Sequence, residues 1–400
     1  MTKEEKETIL DLLLKNPSLN LDVSNKHSIT PLMYASLGSF QQFNQILSRT
    51  KDVNLQSNEK ETAIHFLLSE QSAATTSDEA YVNELIKKLN LLVKAGAKLF
   101  VKNELGELPH HLAAKISPKV LSFLLDVSKQ RESSFEDPCS LDCVGGQLKK
   151  SILHCIADKQ LSGRESWPVV HRLLTEFRLD PNVEDDSQKS VLLTYCEAFR
   201  VYEVYKLLEM HGKVAHGEIE GNLVPLNVKK LDKFGRNAAY LAFSGMPKKN
   251  VEELVLLKML EDAGVDIHQN DLNGISCHEL MGEFWASAYA SFKSDPPSWM
   301  SDKEKLTSLI VKMDFIRIQK KLTTTNLSLN HIWKDFYGID DYKTLHAKEQ
   351  NTLTNLKEEI AFLNNFSENE QDAGLGVFGA DQGNNNEEKP NESSLFWELK

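Results

Sequence analysis

Thr30-Pro31-Leu32-Met33-Tyr34-Ala35 is the stretch from which the rest of the chain can be read. A polar turn at residues 25–28 precedes it. Gly38 follows, then the apolar pair Ile46-Leu47 and the turn-like Asp52-Val53-Asn54. The chemistry of the hexapeptide is that of a helix start. A threonine hydroxyl accepts from a first-turn backbone N–H that has no partner inside the helix. A proline in that turn gives up no hydrogen bond. The alanine leaves room for a second helix, and the apolar pair gives that helix a face to bury.

The same features return in the same order. Thr62-Ala63-Ile64-His65 precedes Leu91-Leu92 and Ala95-Gly96-Ala97. Asn103-Glu104-Leu105-Gly106 introduces Leu108-Pro109-His110-His111-Leu112-Ala113-Ala114, with Leu124-Leu125 beyond. Ser151-Ile152-Leu153-His154 precedes Leu173-Leu174 and Asp180-Pro181-Asn182. Ser190-Val191-Leu192-Leu193 precedes Leu207-Leu208. Asp232-Lys233-Phe234-Gly235 introduces Asn237-Ala238-Ala239-Tyr240-Leu241-Ala242, then Met259-Leu260 and Ala263-Gly264-Val265-Asp266. Asp271-Leu272-Asn273-Gly274 introduces Ser276-Cys277-His278-Glu279, with no clear second half.

This succession resembles the ankyrin repeat, whose pattern runs turn, T-P-L-H-x-A, glycine, leucine pair and a G-A-D-V-N-like turn. The starts at 30, 62, 108, 151, 190, 237 and 276 are separated by 32, 46, 43, 39, 47 and 39 residues. Against a family period of about 33 residues, only the first interval matches and the others carry insertions. The resemblance implies an all-α solenoid of about six to seven degenerate repeats over residues 22–283, in one continuous stack with little strand, because a single repeat cannot bury its apolar face alone. Thr30, Pro31, Leu32, Thr62, His65, Pro109, His111, Ala113, Ser151, His154, Asn237 and Ala242 are the residues that carry the motif. His65, His111 and His154 stand where the family has a histidine that bonds backbone between repeats. Met33, Leu193, Tyr240 and Glu279 stand there elsewhere, so those junctions must be held differently. The family is also a target of asparaginyl hydroxylation in the repeat-to-repeat turn, which points to Asn54 and Asn182.

The remaining segments read as follows. Residues 1–21 are expected to hold an amphipathic cap helix (Ile9, Leu10, Leu13, Leu14), without the apolar core of a signal peptide. Residues 69–80 read as an extended turn, 129–149 as a long loop and 212–230 as an enlarged hairpin. After the last repeat, Phe284, Trp285, Tyr289 and Phe292 form an aromatic stripe. A capping box from Ser301 to Glu304 opens a helix through Leu322. Residues 328–337 and 341–366 read as further helices, the latter with Leu353, Leu356, Ile360 and Leu363 as a stripe. Residues 284–366 are therefore expected to form a helical domain docked on the final repeat. Residues 367–400 read as a disordered acidic tail.

Charge and cysteine usage narrow the function. The formal net charge is −12, which disfavours a general nucleic-acid binder, since phosphate neutralisation needs clustered Lys and Arg. Residues 367–400 hold eight acids and two bases, half of that net charge. Five cysteines, an odd number in a long chain, do not make a secreted disulfide framework. With no apolar run near the roughly 20 residues of a membrane span, a reducing, cytoplasmic compartment is expected.

Candidate chemistry is sparse. Cys139, Cys143, His154 and Cys155 offer thiolate and imidazole for zinc, but the first spacing is not C-x2-C and His154 has a repeat role. Cys139 with His171 could make a nucleophile and base, with no supporting local signature. His331, Trp333, Asp335, Phe336 and Tyr337 read as aromatic core. No phosphate loop, H-E-x-x-H or G-x-S-x-G occurs. The tail, with Glu387, Glu388 and Glu392 ahead of Leu395-Phe396-Trp397 and Leu399, resembles the C-terminal signals of type IV secreted effectors of intracellular bacteria. The expected function is a monomeric protein-interaction adaptor, a bacterial effector that binds a host protein, with no cofactor, metal or catalytic residue. The alternative is an enzyme in which the array is a targeting arm and residues 284–366 act on the captured protein.

Overall fold

The computed structural model describes residue 16 and residues 19–69, 79–131, 141–157, 163–215, 223–245 and 251–323. The expected cap helix, the helices over 328–337 and 341–366, the His331–Tyr337 cluster and the tail fall outside the described residues, apart from Asn16 and residues 19–21.

The described chain alternates short inner and longer outer helices. The inner helices are α1 (Pro31–Ser36), α3 (Ala63–Leu68), α5 (Pro109–Ile116), α7 (Ile152–Ala157), α9 (Val191–Glu197) and α11 (Ala238–Ser244). The outer ones are α2 (Phe40–Leu47), α4 (Glu79–Lys94), α6 (Pro118–Arg131), α8 (Gly163–Thr175), α10 (Val201–Ala215) and α12 (Val251–Asp262). Then come α13 (Cys277–Ser294), a 3-10 turn (Ser298–Ser301) and α14 (Lys303–Thr323). Each inner helix packs on the next inner helix, each outer helix on the next outer one, and the two members of a pair on each other. Among the described residues the only β features are isolated bridges, Gly145 with Lys150 and Asn270 with Ser276.

The core is continuous along the stack. The inner helices are apolar on nearly every side, because they face neighbours before, behind and beneath. Ala113, Leu153, Leu193 and Ala242 are wholly buried, as are the outer-helix leucines Leu92, Leu124, Leu173 and Leu260. Alanines at helix crossings let the axes approach. Gly245, just beyond α11, serves the same end, since a Cβ there would lie 2.5 Å from the Glu197 carbonyl oxygen.

Several segments differ from the sequence reading. Helix α6 runs through Arg131 and residues 145–150 form a tight turn, so the loop expected over 129–149 is shorter at both ends. Among the described residues of 212–230 none is in a strand. Residues 212–215 finish α10, and residues 223–230 form no regular element, with Leu226 and Val228 buried. The last helix start is capped by Asp302, which accepts from Glu304 and Lys305 N–H, in place of Ser301. Helix α13 crosses the expected boundary at 283/284, with a non-helical kink at Gly282, φ 67°.

The principal neighbours of α14 are α10 and α8, the outer helices of the fourth and fifth pairs, rather than the final repeat. Leu309, Ile310 and Met313 are buried. Lys303 pairs with Glu209 at 2.6 Å, and Tyr205 Oη is 3.4 Å from Thr307 Oγ1. Asp314 accepts the Gly163 N–H at 2.6 Å, a carboxylate capping the start of α8 from 151 residues downstream. Negative charge suits that position because the first N–H groups of a helix lack internal partners. Beside it, wholly buried Arg200 donates to Glu203 Oε1 from Nε (2.8 Å) and from Nη2, to Ser166 Oγ (3.1 Å) and to the Ala157 carbonyl (3.4 Å). Ser166 Oγ donates to the same Glu203 oxygen at 2.6 Å.

Candidate functional site

The helix starts show where each motif residue stands. Thr30 Oγ1 accepts from Met33 N–H at 3.3 Å, Pro31 opens α1 and Leu32 is buried beneath it. Asn237 Oδ1 accepts from Tyr240 N–H at 2.9 Å, and Ser276 and Glu279 form a reciprocal box at α13. In three consecutive inner helices a histidine closes the first turn on itself and reaches onward. His65 Nδ1 faces Thr62 N–H (3.2 Å) and Oγ1 (2.9 Å), while Nε2 lies 3.3 Å from the Glu107 carbonyl. His111 Nδ1 accepts from Leu108 N–H (3.1 Å), where Pro109 opens the helix, and Nε2 is 3.0 Å from the Cys143 carbonyl. His154 Nδ1 faces Ser151 N–H and Oγ, and Nε2 is 2.9 Å from the Lys189 carbonyl. Accepting at Nδ1 places the proton on Nε2, so each ring is the neutral tautomer that donates to the next repeat. Burial holds His65 below the ordinary histidine range, His111 at about 4 and neighbouring His110 at about 3. At the sixth pair, Asn237 Nδ2 makes the forward bond instead, to the Asp266 carbonyl at 2.5 Å.

Between successive helix pairs the chain makes a hairpin turn, and the turns are joined in a row. Asn58 N–H donates to the His27 carbonyl, Glu104 to Glu59, Gly146 to Leu105, Asp186 to Leu148, Lys233 to Ser187 and Leu272 to Phe234. In four of the turns the first residue braces it. Asn25, Asp185, Asp232 and Asp271 each accept with Oδ1 from the N–H groups two and four residues on. The tip-to-tip hydrogen bonds thus set the backbones of the tips in register. Four of the side chains on the tips are large, apolar and exposed: Leu105 (52%), Leu148 (54%), Phe234 (47%) and Leu272 (77%). No sequence motif marks them, because a tip position has no structural demand beyond its backbone.

A second row of turns lies at the repeat-to-repeat junctions. Asn54 accepts Lys98 N–H at 2.8 Å and donates Nδ2 to the Gly96 carbonyl at 3.1 Å. Asn182 accepts Asn227 N–H at 2.6 Å and donates to the Pro225 carbonyl at 2.8 Å. Both amides thus span a junction.

The described residues bring none of the other candidates together. Among the described residues no group of three His, Cys, Asp or Glu side chains could hold a metal. Both ring nitrogens of His154 are engaged, Cys155 is buried, and His171 lies against Trp167 with ring centres 6.0 Å apart. Cys139 falls outside the described residues. No helix among them is long and apolar enough to cross a membrane.

No protein-family model matches the sequence, and none of the curated proteins compared with it does. Among solved structures, the chain is similar to the human ASB11 ankyrin repeat domain, at 16% identity and a TM-score of 0.45, covering 68% of this chain and 100% of that one. It is similar to the ankyrin repeat domain of Bcl-3, at 20% identity and a TM-score of 0.45, covering 66% and 100%. A chain of the complex between the Bd0816 predatory endopeptidase of Bdellovibrio bacteriovorus and immunity protein Bd3460 is similar at 18% identity and a TM-score of 0.37, covering 51% and 96%. Its structural neighbours thus include ankyrin repeat domains.

Proposed function

We propose that this chain is a protein-binding adaptor that reads its partner with the row of hairpin tips. The observation that carries the reading is the set of exposed apolar side chains, Leu105, Leu148, Phe234 and Leu272, on turns joined by backbone hydrogen bonds. Large apolar groups on turns whose backbones are in register are costly to leave wet and are the usual material of a binding surface. The double variant Leu148→Asp/Phe234→Asp should keep its urea midpoint, because neither side chain is buried, and should lose captured partners from a eukaryotic lysate about tenfold. Equal capture by the variant would overturn the reading.

We read the adaptor further as an effector delivered into a host cell by a type IV system, on the strength of Glu387, Glu388 and Glu392 ahead of Leu395-Phe396-Trp397 and Leu399. Deleting residues 394–400 should abolish translocation and leave the melting temperature unchanged. Translocation that survives the deletion removes the basis for this step. In a host cytosol, Asn54 and Asn182 become candidate substrates of an asparaginyl hydroxylase. Because both amides are bonded across a junction, oxygen addition should be slow on the native stack and faster in mild urea. Mass spectrometry showing no added oxygen under either condition would refute the assignment.

A further inference from the structure

We propose that the sixth hairpin tip is the element that selects the partner: a basic, aromatic-centred site for an acidic protein segment carrying a large apolar residue. The proposal rests on the tip reading above and names the partner chemistry.

Residues 229–236 read Lys-Lys-Leu-Asp-Lys-Phe-Gly-Arg, four cations and one acid in a chain with 46 Lys and Arg against 58 Asp and Glu. The one acid is committed to the turn. Asp232 Oδ1 accepts from Phe234 and Arg236 N–H, both at 2.9 Å, and its Oδ2 accepts from Arg236 Nε (2.8 Å) and Nη2 (2.6 Å). That clamp holds the Arg236 guanidinium 4.9 Å from the centre of the Phe234 ring, and Lys233 Nζ lies 5.3 Å from the same centre. The ring is thereby placed beside two cations while half of it stays exposed. Lys230 pairs with Glu184 across to the fifth tip. Lys229 and Lys233 are exposed and carry no ion pair among the described residues.

The seventh tip completes the surface. Leu272 N–H donates to the Phe234 carbonyl at 2.9 Å, which sets Leu272, the most exposed large apolar side chain among the described residues, on the adjoining tip, and Ile275 on the same turn is exposed too. The other tips differ. At the fourth, Lys149 faces Asp186 at 3.9 Å. The fifth carries Glu184, Asp185 and Asp186 and no large apolar residue. Among the described tips, exposed apolar surface coincides with an excess of cations around Phe234; near Leu105, Lys60 and Lys102 are matched by Glu59 and Glu104. A partner carboxylate beside a buried Phe, Trp or Leu would meet both at once, and excluding water from the apolar contact strengthens the neighbouring ion pairs. A nucleic acid could also stack on Phe234. Its phosphates would run on past Glu184, Asp185 and Asp186 on one side and Asp271 on the other, and a polyanion is repelled there. A short acidic segment is not.

The test is a random-peptide display selection on the immobilised full chain, repeated on Phe234→Ala/Lys233→Glu and on Leu148→Ala/Lys149→Glu, each with an unchanged urea midpoint. Peptides with Asp or Glu flanking Phe, Trp or Leu are expected. Their binding should fall about tenfold on the sixth-tip variant, persist on the fourth-tip variant, and weaken as salt rises from about 50 to about 300 mM. Neutral or basic peptides, or acidic ones indifferent to the sixth-tip variant, overturn this inference while leaving the tip surface in place. A selection that enriches nothing removes both readings. A labelled single-stranded oligonucleotide that binds as tightly as the peptides, with the same dependence on Phe234, would assign the site to nucleic acid instead.

Discussion

Arg200→Ala should destabilise the protein by about 3–5 kcal/mol in chemical denaturation, since removing one partner of a buried ion pair leaves the other charge uncompensated. Arg200 and Glu203 are both wholly buried, three residues apart at the start of α10, and they also hold Ser166 and the Ala157 carbonyl. The alanine variant would strand the Glu203 carboxylate among Tyr195, Ser166 and the underside of α14. The double variant Arg200→Met/Glu203→Leu should recover most of the loss, because apolar residues of similar volume replace such pairs at little cost. An alanine variant within about 1 kcal/mol of the parent would show that solvent reaches this cluster.

Acidification should have an effect of similar size. His110 and His111 are buried and neutral, with burial as the main cause of their depression to about 3 and about 4. The charged groups facing them do not reverse it: Glu107 raises His111, while Lys115 and Lys102 lower it and His111 lowers His110. His65 moves in the same direction, against the pull of Glu107 and of the Glu107 and Val101 backbone groups. The unfolded chain binds protons near the ordinary value of about 6.5 and the native chain does not, so stability rises with pH across this window. It is present in full above about pH 6.5 and is lost as the pH falls toward the native values. At pH 5, His110 and His111 should each cost about 2 kcal/mol relative to pH 7.5. Urea midpoints at the two pH values measure this, and His111→Gln should reduce the difference. A flat profile would mean that these rings are not buried in solution.

Much of the stack was legible because its signals are local. Thr30, Asn237 and Ser276 cap helices through contacts three residues away, and Asp232 and Asp271 brace turns through contacts two and four residues away. Pattern alone is enough for such features. The turn glycines were a poorer guide. Gly106, Gly235 and Gly274 take the left-handed conformation, but Ser28, Lys60, Lys149 and Gln188 take it at the equivalent place in other tips. Each such residue costs roughly 1–2 kcal/mol, which the inter-tip hydrogen bonds offset, so the repeats look more degenerate than they are. What the sequence did not show is what depends on distant partners. Nothing in the sequence around Arg200 and Glu203 marks them as a buried pair. Nothing near Asp314 announces that it caps a helix beginning at Gly163. The exposed Leu105, Leu148 and Leu272 were invisible as a set, because only the hydrogen-bonded order of the tips aligns them.

The return of α14 alters the topology of the array. In an open stack each repeat touches only its neighbours, and the end can peel away one repeat at a time. Here the bond from Asp314 to Gly163, together with the Lys303–Glu209 pair, joins the chain beyond the last repeat to the middle of the stack. Repeats four to seven become a closed ring of contacts, whose members must open together or not at all. Such a ring raises the sequence separation of its contacts, which slows folding, since loop closure precedes the contacts that reward it. It also makes the C-terminal half one cooperative block, while the N-terminal half keeps the stepwise behaviour of a linear array. Hydrogen exchange should therefore show a single opening free energy from α8 through α13, and Asp314→Ala should split it into graded values that fall toward α13.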